Sequence, residues 1–512
     1  MQDFVDSINA IIWSPALIYL CLGAGLFFTV VTRGVQIRHF GEMWRLLLSG
    51  KSSEQGLSSF QALSISLSGR VGAGNIAGVA TAIGFGGPGA VFWMWVVAFF
   101  GAATAYIEST NAQIYKEETD GFYRGGPAYY IEKAMGQKWY AWIFAIATII
   151  ACGVMLPMVQ SNGLGEAITL VFGRGDILET SLGNLSTVKV YTATGIVLLL
   201  GFIIFGGVKR IATFAQVIVP FMALGYILVS LIIIGLHIDR LPTVFMMIIN
   251  DAFSPMAGVG AAIGWGVKRG VYSNEAGQGT GPHAAAAAEV EHPAQQGLVQ
   301  AFSVYIDTLF ICSATAFMIL ITGAYNVHGA GEVFLIQNVA ADVTANGPAF
   351  TQLAVESVFT GIGKPFVAVA LFFFVFTTIL AYFFIAESNV YYIKRTLKIP
   401  GLHLLLKIII TIATFYGTVK AADLAWGMGD IGVGIMAWLN IIGIIIIFFM
   451  SKPAIKALKD YEAQKKSGVK NYSFDPKSLD IKNADFWQQR FTDKQAALQD
   501  ANKVDKPINK DV

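Results

Sequence analysis

"SLSGRVGAGNIAGVATAIGFGGPG", residues 66–89, lies within apolar sequence yet carries glycines at 69, 72, 74 and 78, with Arg70 and Asn75 among them. Each glycine weakens a helix by about 1 kcal/mol relative to alanine, so an unbroken helix here is costly. Backbone groups freed inside a membrane are tolerated only where protein buries them or where they line a polar cavity. Small residues at this spacing also permit close helix packing, but packing alone gives no reason for Arg70 or Asn75. The stretch reads as an interrupted membrane helix whose unwound backbone is available to a ligand.

Composition supports the membrane reading. Of 512 residues, 55% are hydrophobic and 13% charged, against roughly a quarter charged in soluble domains. Eleven apolar runs occur at about 12–32, 58–83, 88–114, 139–168, 189–207, 212–236, 257–289, 296–323, 364–392, 403–419 and 426–450. Most approach or exceed the ~20 residues that cross a hydrocarbon core of ~30 Å. The first reads as a retained span, because Asp3 and Asp6 precede it where a signal peptide would be basic. Cys21, Cys152 and Cys312 stand apart in separate runs, which argues against a disulfide framework or a thiolate metal cluster.

Lysine and arginine sort the connections into two sets. One set holds Arg33, Arg38, Arg45, Lys51, Lys116, Arg124, Lys133, Lys138, Lys209, Arg210, Lys394, Arg395, Lys398 and Lys407. The other holds Arg174, Lys189, Arg240, Lys364 and Lys420. The richer side is expected to be cytoplasmic, which places the N-terminus outside and the C-terminus inside. The polar stretch 453–512 then reads as a cytoplasmic tail, a solvated extension. The net charge of +2 gives no pointer to nucleic acid.

A second interruption follows at residues 264–289, "GWGVKRGVYSNEAGQGTGPHAAAAAE". Paired interruptions in two halves point to a transporter built from internal repeats. The expected architecture is an all-α polytopic membrane protein with eleven transmembrane helices. A leading helix and connection (1–57) precede a first five-helix repeat (58–236), and an inverted second repeat (237–452) precedes the tail (453–512). Unwound carbonyls suit a hard cation such as sodium. The N-terminus of the following half-helix suits a carboxylate. An amino acid carries the matching pair of charges for such a site.

The segments 69–84 ("GRVGAGNIAGVATAIG"), 86–108 ("GGPGAVFWMWVVAFFGAATAYIE") and 269–290 ("RGVYSNEAGQGTGPHAAAAAEV") closely resemble the sodium:alanine/glycine symporter family of bacteria and archaea. The resemblance runs to about Lys452. It implies a fold similar to the bacterial leucine transporter, a five-plus-five inverted repeat with an extra leading span. It also implies sodium-driven uptake of alanine and glycine across the plasma membrane by alternating access.

From the matching motif, Gly72, Ala73, Gly74 and Asn75 are expected to line the substrate carboxylate, with Gly72 and Asn75 also at sodium; Asn75 alternatively caps the break. Tyr272, Ser273, Asn274 and Gly277 are expected to close the other side. Gln160, in the polar triplet Gln160–Ser161–Asn162, is a substrate candidate or an interhelical bond. Thr377 and Thr378 are sodium candidates, or bond back to their own helix. Among the buried charges Arg70, Glu108, Glu166, Glu275 and Glu387, Arg70 is expected to act as a gate by pairing with an acid such as Glu275. Lys268 and Arg269 are placed near a vestibule.

Other classes fit less well. "GAGNIAG" lacks the strand and acidic residue of a dinucleotide fold. Six histidines without ligand spacing argue against metal catalysis, and no Ser–His–Asp arrangement accompanies "SNEAG". A channel filter would need repeated rings. Proton coupling through Glu275, and a larger neutral substrate such as glutamine, stay open as alternatives.

Overall fold

The computed structural model describes residues 2–48, 53, 55–180, 183–254, 256, 258–329, 333–420 and 422–504. Lys51, residue 257 and residues 505–512, named above in loops, span ends or tail, lie outside the described residues. Among those described, eight helices are long and apolar enough to cross a membrane. They are Gly89–Ile114, Lys138–Phe172, Thr187–Ile204, Gly207–Leu236, Pro293–Thr322, Gly363–Lys394, Leu402–Val419 and Ala422–Met450. A ninth is made by Gln2–Ile12 and Pro15–Val31 taken together, bent by 42° at Trp13 and Ser14. The protein is thus a polytopic, mostly helical membrane protein.

The all-α expectation needs one correction. Three short antiparallel hairpins occupy connections: Glu117–Thr119 with Phe122–Arg124, Ile177–Thr180 with Gly183–Ser186, and Asn326–His328 with Phe334–Gln337. Each lies between helices, where a tight turn can return the chain without a helical connection.

The runs 58–83 and 257–289 are not continuous helices. Ser58 starts the first with a capping box, accepting from Gln61 N–H while Gln61 accepts from Ser58 N–H. That helix, Ser59–Arg70, stops at Val71 and Gly72; a wider π-helical turn, Gly74–Gly78, then leads into Val79–Gly86. The second, Val259–Asn274, ends where Glu275, Gly277 and Gly279 take positive φ values of 58°, 81° and 85°, and resumes as Gly281–Ala287. At Gly277 and Gly279 this backbone suits glycine; Glu275 adopts it as the residue closing the helix.

The tail is not a solvated extension. The helix Pro453–Lys466 packs back on the bundle, where Tyr461 Oη donates to Glu42 Oε1 at 2.5 Å. His292 Nε2 lies 3.1 Å from Asp460 Oδ2. Farther on, in Asp485–Val504, Trp487 is buried and its Nε1 donates to Gln113 O at 2.7 Å. Beneath it lies Lys116, whose Nζ donates to Ala288 O at 2.9 Å and sits 4.2 Å from the Tyr123 ring centroid. Burial pushes this ammonium well below its ordinary pKa, against the opposing pull of Glu289. Aromatic side chains widely spaced in a hydrophilic sequence therefore anchor the tail, a pattern that mean hydropathy conceals.

Candidate functional site

The first break arises because two backbone donors leave the helix. In an unbroken helix Gly72 N–H would return to Ser68 O and Ala73 N–H to Gly69 O. Instead Gly72 N–H donates to Asn75 Oδ1 at 2.8 Å, and Ala73 N–H donates to Gln160 Oε1 at 2.8 Å. Ser68 O is left to another partner, Thr378 Oγ1, at 2.7 Å. The same hydroxyl oxygen lies 3.3 Å from Val71 O and 2.8 Å from Phe374 O. One hydroxyl proton cannot serve three carbonyls, so four oxygens crowd together here with only one hydrogen from Thr378 Oγ1 to share; Phe374 O also lies 3.1 Å from the Thr377 hydroxyl.

The two breaks meet. A Cβ built on Gly74 would stand 3.1 Å from Tyr272 Cδ1 and 3.4 Å from Ser273 Cα. One built on Gly72 would stand 2.6 Å from Thr378 Oγ1 and 2.7 Å from Gln160 Oε1. Glycine at 72 and 74 is therefore what lets the backbone approach these groups. Gln160 Nε2 continues to Tyr272 Oη at 3.4 Å, and the Tyr272 ring lies 5.4 Å from that of Trp426.

Asn75 and Ser273, one from each broken helix, converge on an acid absent from the expected set. Asn75 Nδ2 donates to Asp307 Oδ1 at 2.6 Å, and Ser273 Oγ donates to the same oxygen at 3.0 Å. Thr308 Oγ1 donates to Asp307 Oδ2 at 2.7 Å. Asp307 has no exposed surface, and no lysine or arginine pairs with it among the described residues. It sits on the π-helical turn Ile306–Cys312. The rule that singles out Glu108 and Glu275, an ionisable residue inside an apolar run, applies to Asp307 equally.

Other expected residues are placed differently. Thr377 faces its own helix: its hydroxyl oxygen lies 2.8 Å from Phe373 O and 3.1 Å from Phe374 O, against the Met222 sulfur. Gly277 is engaged elsewhere, its N–H on Glu108 Oε1 at 3.2 Å and its carbonyl accepting from Asn440 Nδ2 at 2.9 Å. Asn274 closes its own turn, its Oδ1 accepting from Ala276 N–H at 3.0 Å.

Arg70 and Glu275 form no direct ion pair in this conformation. Arg70 Nε donates to Asn274 O at 2.6 Å, and Nη1 donates to Gln300 Oε1 at 3.1 Å and to Ser303 Oγ. Glu275 Oε2 instead accepts from Thr280 Oγ1 at 2.8 Å. No ion pair joins Arg70 to Glu275 among the described residues. The guanidinium goes to the carbonyl that ends the opposite half-helix, the negative end of its dipole, and so fastens one break to the other. Of the remaining acids, Glu166 pairs with Lys189 at 2.5 Å and Glu387 with Arg124 at 3.6 Å.

Lys268 and Arg269 line a cavity of about 710 Å³. Both hold Asp430: Lys268 Nζ lies 2.6 Å from Oδ2, and Arg269 Nη1 lies 2.8 Å from Oδ1. Arg269 also lies over the Trp426 ring at 4.6 Å. Trp426 borders both this cavity and Tyr272, so the ion pair and the aromatic contact separate the cavity from the breaks.

Interrupted helices that meet inside a bundle of apolar helices are the arrangement of a membrane carrier. A family model described as the sodium:alanine symporter family matches residues 1–476. YrbD of Bacillus subtilis (strain 168) is 59% identical over 496 residues, covering 96% of this chain and 99% of that protein. The sodium/proton-dependent alanine carrier protein of Bacillus sp. (strain PS3) is 48% identical, covering 88% and 98%. The sodium/alanine symporter AgcS of Methanococcus maripaludis is 34% identical, covering 92% and 99%. The chain belongs to the sodium:alanine symporter family; it is a transporter and not an enzyme.

Proposed function

We propose that this protein couples inward movement of sodium to uptake of small neutral amino acids, alanine and glycine, by alternating access. The observation that carries this reading is the oxygen cage of Thr378 Oγ1 with Ser68 O, Val71 O and Phe374 O. Sodium seated among these oxygens would satisfy all of them at once, and would hold the long helix Gly363–Lys394 to the first break. The substrate carboxylate would take the place of Gln160 Oε1 at Ala73 N–H, at the N-terminal end of the half-helix that follows. The Tyr272 ring, which lies against Gly74, would wall the substrate side chain and limit its size. Sodium and the amino acid are both cargo.

In this reading the two interrupted helices are spans, giving eleven in all. Residues 58–236 and 237–452 are then the inverted repeats, with the N-terminus outside the plasma membrane and the C-terminus cytoplasmic. The cavity above Arg269 and Asp430 is the outer vestibule. The names of the relatives, which include alanine carriers, support the substrate.

Proton coupling is the second reading, and Asp307 favours it as a buried acid with no ion pair among the described residues. Accumulation of labelled alanine in proteoliposomes decides between them. An imposed sodium gradient alone should drive accumulation. Accumulation driven by a proton gradient alone moves the coupling role to Asp307 or Glu275. Absence of alanine uptake under either gradient overturns the substrate assignment.

A further inference from the structure

At the end of Ala422–Met450 lies a cavity of about 470 Å³, within the size range of small-ligand sites. Four lysines line it, Lys133, Lys452, Lys456 and Lys482, together with one carboxylate, Asp480. Lys456 pairs with Asp480 at 3.5 Å, and Lys133 is held by Glu117 at 3.0 Å and Asp485 at 3.4 Å. Lys452 and Lys482 form no ion pair among the described residues. Tyr115 and Ser451 also line this space.

The wall on the bundle side is apolar. Phe449 and Met450 line the cavity and are 67% and 58% exposed. They end an apolar helix long enough to span the membrane, so the cavity sits where hydrocarbon gives way to water. With Lys456 and Lys133 already partnered by carboxylates, the exposed ammonium groups of Lys452 and Lys482 are the ones free to meet an anion in this concavity. A free phosphate would satisfy the lysines but leave the apolar wall without a partner. A phosphate ester carrying acyl chains uses both.

We infer that this cavity binds the phosphate headgroup of an anionic phospholipid, with its acyl chains running along Phe449 and Met450. Basic pockets at the cytoplasmic ends of membrane helices suit such headgroups. Asp480, Lys482 and Asn483 of the docked tail form one wall, so the bound lipid joins tail, bundle and membrane at one point. The inference stands independently of the transported substrate.

The test is native mass spectrometry of the full chain in neutral detergent, titrated with phosphatidylglycerol, phosphatidylcholine or soluble glycerol phosphate. The pocket variant is Lys452→Gln/Lys482→Gln. A charge-matched control, Lys466→Gln/Lys470→Gln, alters exposed lysines that do not line the cavity. One lysine near an anionic headgroup is worth about fivefold in affinity. Phosphatidylglycerol should therefore bind the pocket variant roughly 25-fold more weakly, with the control unchanged. An equal loss in the control, or equal retention of phosphatidylcholine, overturns the site. Glycerol phosphate binding as tightly as the lipid overturns the lipid as its occupant.

Discussion

Asn75 donates to Asp307 across 2.6 Å, and Asn75 also accepts the Gly72 N–H that the helix has given up. One amide thus both stabilises the break and presents a donor to the buried acid. A charge on Asp307 needs compensation beyond Asn75, Ser273 and Thr308, which a cation or a proton supplies. Asp307→Asn removes that requirement together with the charged hydrogen bonds, worth about 1.5–3 kcal/mol. Half-saturating sodium for alanine uptake should rise more than tenfold, or uptake should lose its dependence on the driving ion. An unchanged sodium titration would exclude Asp307 from coupling.

Thr377 and Thr378 separate cleanly. Thr378→Ala removes an oxygen from the cage, at a cost of about 1–3 kcal/mol, and should raise half-saturating sodium roughly tenfold. Thr377→Ala removes no oxygen from the cage, only a hydroxyl that lies 2.8 Å from Phe373 O and 3.1 Å from the cage oxygen Phe374 O, and should shift the sodium titration far less than Thr378→Ala. Equal effects from the two variants would place the cation elsewhere.

Gly72→Ala places a methyl group within 2.7 Å of two oxygen atoms. Overpacking of this kind costs about 1–3 kcal/mol, in the segment where substrate and sodium are proposed to bind. The variant should reach the membrane in normal amount and fail to accumulate alanine. Wild-type uptake would mean that the break is wider during transport than in this conformation.

Glu42, outside the spans, gives the tail a pH limit. Burial raises its carboxyl, but hydrogen bonds from Arg45, Lys465 and Tyr461 outweigh burial and bring it from 4.5 down to about 2. Its folded pKa is depressed, so its contribution is complete above about 4.5 and is lost as pH falls through about 2. Hydrogen-exchange protection of Pro453–Lys466, corrected for intrinsic rate, should fall across that window. Glu42→Gln should lower protection already at neutral pH and flatten the profile.

What the sequence made legible follows from composition and from local rules. Glycine clusters marked both breaks, since no tertiary contact is needed to weaken those helices. Their partners depend on packing between distant segments. Asp430 lies 161 residues from Arg269, and Asp307 lies 232 from Asn75. Adjacent threonines cannot be told apart until the phase of their helix against the first break is known. Arg70 and Glu275 were a reasonable pair by charge, but the nearby helix end offered the guanidinium a carbonyl instead. The docking of the tail is hidden from composition because a few buried aromatic side chains scarcely change its average polarity.

The docked tail bears on the order in which the molecule is made. Every apolar helix leaves the ribosome before Phe486 and Trp487 do. Until then Gln113 O lacks the Trp487 indole, and Lys116 lacks the Phe486 and Trp487 rings beside it. This end of the bundle is therefore the last part to be sealed. A nascent chain halted after Lys452 would hold its membrane helices but leave that end uncovered, a distinct target for proteolytic quality control.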